Sequence, residues 1–199
     1  ANVIKLVATS NAMTNVDYIS IYADKDVYFT TTSEKTDYRF EGTEATLTNC
    51  SIVSEADLNA SGGSHVGQIG TGSEIKYQIT SSQSQFVDLK IVSAIVGSDR
   101  LAMKVNYKEV TVNGNPLFYN GDAKFNVPPS YGYGAWTDFV IKGVYLKTGI
   151  NEIVLKTADG AMTNFDYIEI SAANAVELYC EITGDTYTFE AENATLTNG

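Results

Sequence analysis

Histidine, cysteine and proline are scarce in this sequence, which has one, two and three of them among 199 residues. The single histidine, His65, has no evident Ser or Cys partner, which argues against a catalytic triad and is typical of a polar residue in a surface loop. Two cysteines without a CxxC spacing make neither a disulfide framework nor a zinc site, and Cys50 and Cys180 either pair or remain thiols. No apolar run approaches the ~18 residues of a membrane span, so membrane insertion is not expected.

Basic residues are also few. Thirteen Lys and Arg against 24 Asp and Glu give a net charge of −11 at pH 7. The cations are scattered, so no nucleic-acid partner is expected, because such a partner needs a positively charged surface. The acidity fits a soluble extracellular protein and could serve a calcium ion, or it could serve solubility alone.

A period of two dominates the sequence, and no stretch shows a capped helical period. Residues 75–79 and 86–92 alternate apolar with polar side chains, and Asn113-Gly114 favours a hairpin turn because both residues tolerate a positive φ. The sequence also contains thirteen tyrosines, a residue type that is enriched in strands. Short strands separated by turns at this spacing predict an all-β protein, an antiparallel sandwich or barrel.

The sequence repeats itself at an offset of 149 residues. Residues 2–21 align with residues 151–170 at 11 of 20 identical positions, and residues 38–49 align with residues 187–198 at 8 of 12. Two blocks that share one offset without a gap indicate a tandem repeat.

The repeat divides the chain into five expected segments. Residues 1–22 are the C-terminal strands of a preceding repeat, 23–37 and 172–186 are linkers, 38–171 are one complete module, and 187–199 begin a following repeat. An isolated strand pair is marginal in water, so the incomplete ends should dock on the complete module, on each other or on a neighbouring molecule. Neighbouring copies are therefore expected partners, and a homo-oligomer or fibre could form through these terminal strands.

Six short motifs follow one another in order across residues 38–171. They are Phe40-Glu41 with Ala45-Thr46-Leu47, residues 61–70 (SGGSHVGQIG), Val112-Asn113-Gly114, Trp136-Thr137, Leu146 with Gly149 and Asn151, and residues 164–168 (NFDYI). In this order they resemble carbohydrate-binding modules of families 6 and 35. The resemblance implies a jelly-roll sandwich of the galactose-binding-like type. It also implies non-catalytic binding of polysaccharide or glycan in secreted or cell-surface multi-domain proteins.

The resemblance also implies a sugar site in loops at one end of the sandwich. In the family, the aromatic residue that stacks on the sugar stands three residues before a tryptophan. Here that aromatic residue is Tyr133, before Trp136, and the family's ligand-binding asparagine corresponds to Asn164. The position of the family's second aromatic residue is Gln68 here, which departs from the pattern and could contact the sugar as a polar replacement. Tyr131 could add another aromatic ring. The alternative is that both tyrosines are ordinary loop residues and that Asn164 holds a turn.

A structural calcium site is implied in the same way. Its acidic positions are Glu41 and Asp166 in the complete module, where Thr43 replaces a third acid and oxygens of residues 59–63 could complete the shell. In the terminal segments the same positions are Glu190, Glu192 and Asp17. Calcium prefers several oxygen ligands, which carboxylates and carbonyls supply. Without calcium, Asp166 would cap backbone amides.

Two functions remain in competition. One is a carbohydrate-binding module, and the other is a structural repeat of an extracellular fibre or adhesin that has lost its sugar site, as the replacements Gln68 and Thr43 suggest. The chain is not expected to be an enzyme, because the sandwich pattern accounts for the whole repeat.

Overall fold

The computed structural model describes residues 34–55, 58–95, 106–128, 130, 132–160 and 163–180. This part of the chain contains thirteen strands and a few short helical turns. The strands are β1 (Thr36–Glu41), β2 (Thr46–Thr48), β3 (Ser51–Val53), β4 (His65–Ile69), β5 (Glu74–Ser81), β6 (Gln85–Ile95), β7 (Asn106–Val112), β8 (Asn115–Pro116), β9 (Lys124–Asn126), β10 (Thr137–Leu146), β11 (Gly149–Gly160), β12 (Thr163–Ala172) and β13 (Val176–Leu178). None of the described helical turns is long and apolar enough to cross a bilayer.

The strands form two antiparallel sheets. The first has the order β10-β6-β12-β4-β3, with β1 also paired to β12, and the second has the order β13-β5-β11-β7-β8, with β2 on β5 and β9 on β7. Every strand pairing within each sheet is antiparallel, so the predicted all-β sandwich is confirmed.

The core follows from the alternation of side chains along each strand. In β5 the buried residues are Ile75, Tyr77 and Ile79, and in β6 they are Val87, Leu89 and Ile91. The residues that alternate with these, Lys76 and Gln78 in β5 and Asp88 and Lys90 in β6, are polar and less buried. Because one face of each sheet is apolar, the two faces pack on each other and form a single hydrophobic cluster.

The predicted hairpin turn at Asn113-Gly114 is confirmed, with φ of +52° and +76° between β7 and β8. Asn113 also contacts the turn between β10 and β11, because its Nδ2 donates to Oδ1 of Asn151 at 3.0 Å. Asn151 is fully buried, and its own Nδ2 donates to the carbonyls of Lys147 and Gly149. The buried Asn151 side chain therefore links the β7–β8 turn to the turn between β10 and β11.

The segment expected to be the second linker contributes a strand. β13 pairs with β5, with Val176 opposite Ser81 and Leu178 opposite Ile79, and Val176 is buried. Residues 176–178 therefore form an edge strand of the second sheet, and the N–H of the following Tyr179 donates to the Gln78 carbonyl.

Candidate functional site

The candidate sugar site lies where β12 begins. Here Asn164 pairs with Ala94 of β6, and its neighbours Thr163 and Phe165 pair with Ile69 and Val66 of β4. The segment that precedes β10 carries Tyr133 to the same end of the first sheet. The structure therefore brings together the regions of Tyr133, Asn164 and Gln68, whereas Tyr131 lies outside the described residues.

Two hydrogen bonds fix the segment that contains Tyr133, one at Tyr133 itself and one at Trp136. Nδ2 of Asn164 donates to the Tyr133 carbonyl at 3.2 Å, and Nε1 of Trp136 donates to the Leu58 carbonyl at 2.7 Å. Between them, Gly134 packs so closely on Leu58 that a Cβ there would lie 3.1 Å from Leu58 Cα. With its backbone fixed in this way, the Tyr133 side chain remains 43% exposed, as a stacking surface requires.

His65 is buried against Trp136, which the sequence did not predict. The residue lies in β4 and is 1% exposed, so its assignment to polar loop surface was wrong. Its ring contacts Trp136 edge-on at a centroid distance of 5.6 Å. Burial lowers the pKa of His65, an effect that Glu55 partly opposes, and Nδ1 is buried with no hydrogen-bond partner among the described residues. The lowered pKa favours the neutral imidazole, which packs against the Trp136 ring.

Gln68 is exposed and adopts a left-handed backbone conformation, with a φ of +56°. This conformation falls at the irregular pairing of β4 with β12 and distinguishes Gln68 from the extended residues around it. Its Oε1 accepts a hydrogen bond at 3.0 Å from Ser51 Oγ on β3, on the side of β4 away from β12. The Gln68 side chain is therefore bonded on the β3 side of β4.

The two acidic residues expected at a calcium site also meet in the structure. Asp166 is the extra residue of a bulge in β12, because Phe165 pairs with Ser93 while Tyr167 pairs with Val92. Both of its carboxylate oxygens accept the Ser61 N–H, at 3.0 and 3.1 Å, and Glu41 Oε1 accepts the Ser61 hydroxyl at 2.8 Å. Asp166 thus accepts the backbone amide of Ser61, and Ser61 lies within residues 59–63, the loop expected to contribute oxygens.

Burial and mutual charge distinguish this carboxylate pair. Burial and the nearby Glu41 raise the pKa of Asp166 to about 6, with the Ser61 amide and Arg39 acting in the opposite direction. Glu41 Oε2 is buried and has no hydrogen-bond partner among the described residues. A buried carboxylate oxygen without a donor, beside a second carboxylate, is the environment that a bound cation would stabilise.

The donor set is nevertheless small. No cluster of three or more His, Cys, Asp or Glu ligands is present in the described ranges, so carbonyl oxygens or water would have to complete the shell. Glu44, which the sequence did not single out, stands near Glu41 but accepts the Glu41 N–H at 2.6 Å and closes a capping box. Asp17, Glu190 and Glu192 lie outside the described residues.

Comparison with solved structures identifies the architecture. A family 35 carbohydrate-binding module from Clostridium thermocellum superposes with a TM-score of 0.58 at 17% identity, over 68% of this chain and 97% of that one. One from Paenibacillus barcinonensis gives a TM-score of 0.54 at 21% identity, over 68% and 98%. This chain has the fold of a family 35 carbohydrate-binding module.

The family 35 fold also occurs within a larger enzyme. An exo-beta-1,3-galactanase from Phanerochaete chrysosporium, solved with galactose, matches with a TM-score of 0.52 and 22% identity over 70% of this chain but only 30% of that chain. No protein-family model and no curated protein matches the sequence.

Proposed function

We propose that this chain contains a non-catalytic carbohydrate-binding module that binds polysaccharide or glycan by stacking on Tyr133. The observation that carries this proposal is an exposed Tyr133 ring whose carbonyl accepts a hydrogen bond from Asn164, in a segment that Trp136 anchors on Leu58. A rigid aromatic loses little entropy on binding, so a sugar ring can stack there without first ordering the loop. Asn164 and Gln68 supply polar groups at the border for the sugar hydroxyls, which need partners when desolvated.

The similarity to carbohydrate-binding modules supports this function over the structural repeat. Two of the solved structures with this fold are family 35 carbohydrate-binding modules, and a third belongs to an exo-beta-1,3-galactanase. In the galactanase the similar region is less than a third of the enzyme, which supports a module appended to other domains. We extend this to a secreted or cell-surface parent protein in which copies repeat every 149 residues.

The proposal includes a structural calcium ion held by Glu41 and Asp166. Its support is the buried, unpartnered Glu41 Oε2 and the raised pKa of Asp166. Calcium would neutralise two carboxylates that now face each other across Ser61, and so would stabilise the junction of β1, β12 and the Ser61 turn. It would take no part in stacking.

The test is a glycan-array screen of the full chain beside Tyr133→Ala. Xylans, glucans, galactans, mannans and uronic acids would be presented with and without calcium. A single module should bind weakly, with a free energy on the order of 4–8 kcal/mol, which corresponds to Kd values from millimolar to micromolar. Loss of the Tyr133 ring should weaken binding at least tenfold, equivalent to about 1.4 kcal/mol.

Tyr179→Ala is the matched control, because Tyr179 is 37% exposed but lies beyond β13 on the second sheet. It should leave binding unchanged. Silence of the wild-type protein across the array, with a cooperative melt, would overturn sugar binding and favour the structural repeat. Equal losses in both variants would place the site away from Tyr133.

A further inference from the structure

Phe86 is an exposed aromatic residue, and it packs against the half-buried Tyr145 at a place that the sugar site does not use. They are cross-strand partners on β6 and β10, with ring centroids 5.4 Å apart and planes inclined at 52°. Phe86 is 47% exposed, although its neighbours Val87 and Gln85 are buried. The pair stands on the outer face of the first sheet, at the end of β6 opposite to the one that reaches Asn164.

The chain enters the sandwich beside this pair. Lys35, immediately before β1, forms an ion pair with Asp88 at 2.8 Å, and Asp88 shares the outer face of β6 with Phe86, two residues away. Thr36 then pairs with Ala172 at the start of β1. Lys35 and the start of β1 therefore lie at the Phe86 end of β6.

The repeat length sets how close the preceding copy must be. Subtracting 149 from Leu178, the last residue of β13, gives Phe29, and Val27-Tyr28-Phe29 is the sequence equivalent of β13. If copies repeat at this spacing, residues 30–35 alone would separate the β13 equivalent of the preceding copy from β1. Fully extended, that tether spans at most about 25 Å between Phe29 and Thr36.

We propose that the Phe86–Tyr145 pair is the docking surface for the preceding copy of the repeat. This inference rests on the tandem arrangement proposed above. One exposed and one half-buried ring are too small a patch to hold free molecules together, but a short tether raises the effective concentration of the neighbour to the millimolar range. Aromatic side chains that are otherwise exposed supply rigid apolar contact area for such an interface. Successive modules would then form a stiff rod, with the Tyr133 ends presented at a fixed spacing.

The experiment uses the full chain lengthened by one repeat, residues 1–182 followed by residues 34–199, which keeps the spacing of 149 residues. Small-angle X-ray scattering should fit one rigid arrangement of two modules. Phe86→Ser in the second copy should release the modules, so that only an ensemble of arrangements fits and the radius of gyration changes. Phe118→Ser is the matched control, because Phe118 is 48% exposed but follows β8 in the second sheet.

Glycan binding is measured on the same proteins to separate the possible outcomes. Unchanged binding with released modules supports docking. Two folded modules that move independently in the unsubstituted lengthened chain would overturn docking and leave the sugar site intact. Loss of glycan binding in Phe86→Ser would also overturn docking, because it would make the aromatic pair a ligand site. Failure of the second copy to fold would refute the tandem arrangement and docking with it.

Discussion

Asn164 and Tyr133 are 31 residues apart in sequence, yet Nδ2 of Asn164 donates a hydrogen bond to the Tyr133 carbonyl at 3.2 Å. Asn164 is 8% exposed, whereas Tyr133 is 43% exposed. The asparagine amide thus positions the backbone of the aromatic residue, in addition to any contact that it makes with a sugar.

Replacing Asn164 with Ala should lower glycan affinity about tenfold and destabilise the fold by about 1 kcal/mol, because one partly buried hydrogen bond is lost. Trp136, the only tryptophan in the chain, reports on the loop that carries Tyr133. Its fluorescence should shift in Asn164→Ala even without sugar. Asn115→Ala, which removes comparable hydrogen bonds to the carbonyls of Val112 and Asn113, should change neither fluorescence nor affinity. A loss of affinity with unshifted fluorescence would make Asn164 a sugar ligand alone.

Trp136→Phe tests the second anchor of the loop. It removes the Nε1 donor that lies 2.7 Å from the Leu58 carbonyl but keeps an aromatic ring against His65. The free energy of unfolding in urea, followed by circular dichroism, should fall by about 1–3 kcal/mol, because a partly buried acceptor loses its donor. Unchanged stability together with unchanged glycan affinity would show that this hydrogen bond does not hold the loop.

Calcium should stabilise the wild-type chain through Glu41 and Asp166. At a free concentration of one hundred times Kd, the expected gain in the free energy of unfolding is about 2.7 kcal/mol. Thermal melts with calcium and with a chelator measure it. Glu41→Gln should abolish the gain, whereas Glu152→Gln, at a surface ion pair with Lys76, should retain it. A gain that survives in Glu41→Gln would place calcium elsewhere.

Acid should destabilise the fold through His65. Because burial lowers its pKa in the folded state, the unfolded chain binds more protons, so this contribution to stability is complete above pH 6.5 and is lost as the pH falls below it. The difference in unfolding free energy between wild type and His65→Gln should therefore shift against the wild type from pH 7 to pH 5.

Asp166 acts with the opposite sign, since its pKa is raised from 3.8 to about 6 in the folded state. Its contribution is complete below pH 3.8 and is lost as the pH rises towards 6. The difference in unfolding free energy between wild type and His65→Gln does not contain the Asp166 contribution, because both proteins carry Asp166. A difference that does not vary with pH would contradict the buried, neutral state of His65.

Alternation in sequence was sufficient to predict the sandwich. A period of two in β5 and β6 specifies which face is buried, and Asn113-Gly114 specifies a turn, because these properties depend on neighbouring residues alone. The resemblance to known modules also named Tyr133, Asn164, Glu41 and Asp166 in advance. The 149-residue repeat is likewise a property of the sequence.

Only the tertiary structure decided what these residues contact. His65 has polar, glycine-rich neighbours in sequence, and its burial follows from the position of Trp136 and β3 around β4. Asp166 reaches Ser61 because a bulge in β12 turns it out of the regular alternation, and no local pattern encodes that bulge. The pairing of Phe86 with Tyr145 depends on the register of β6 with β10, 59 residues apart. Burial, bulges and register all arise from contacts between distant segments, and a reading of local periodicity does not contain them.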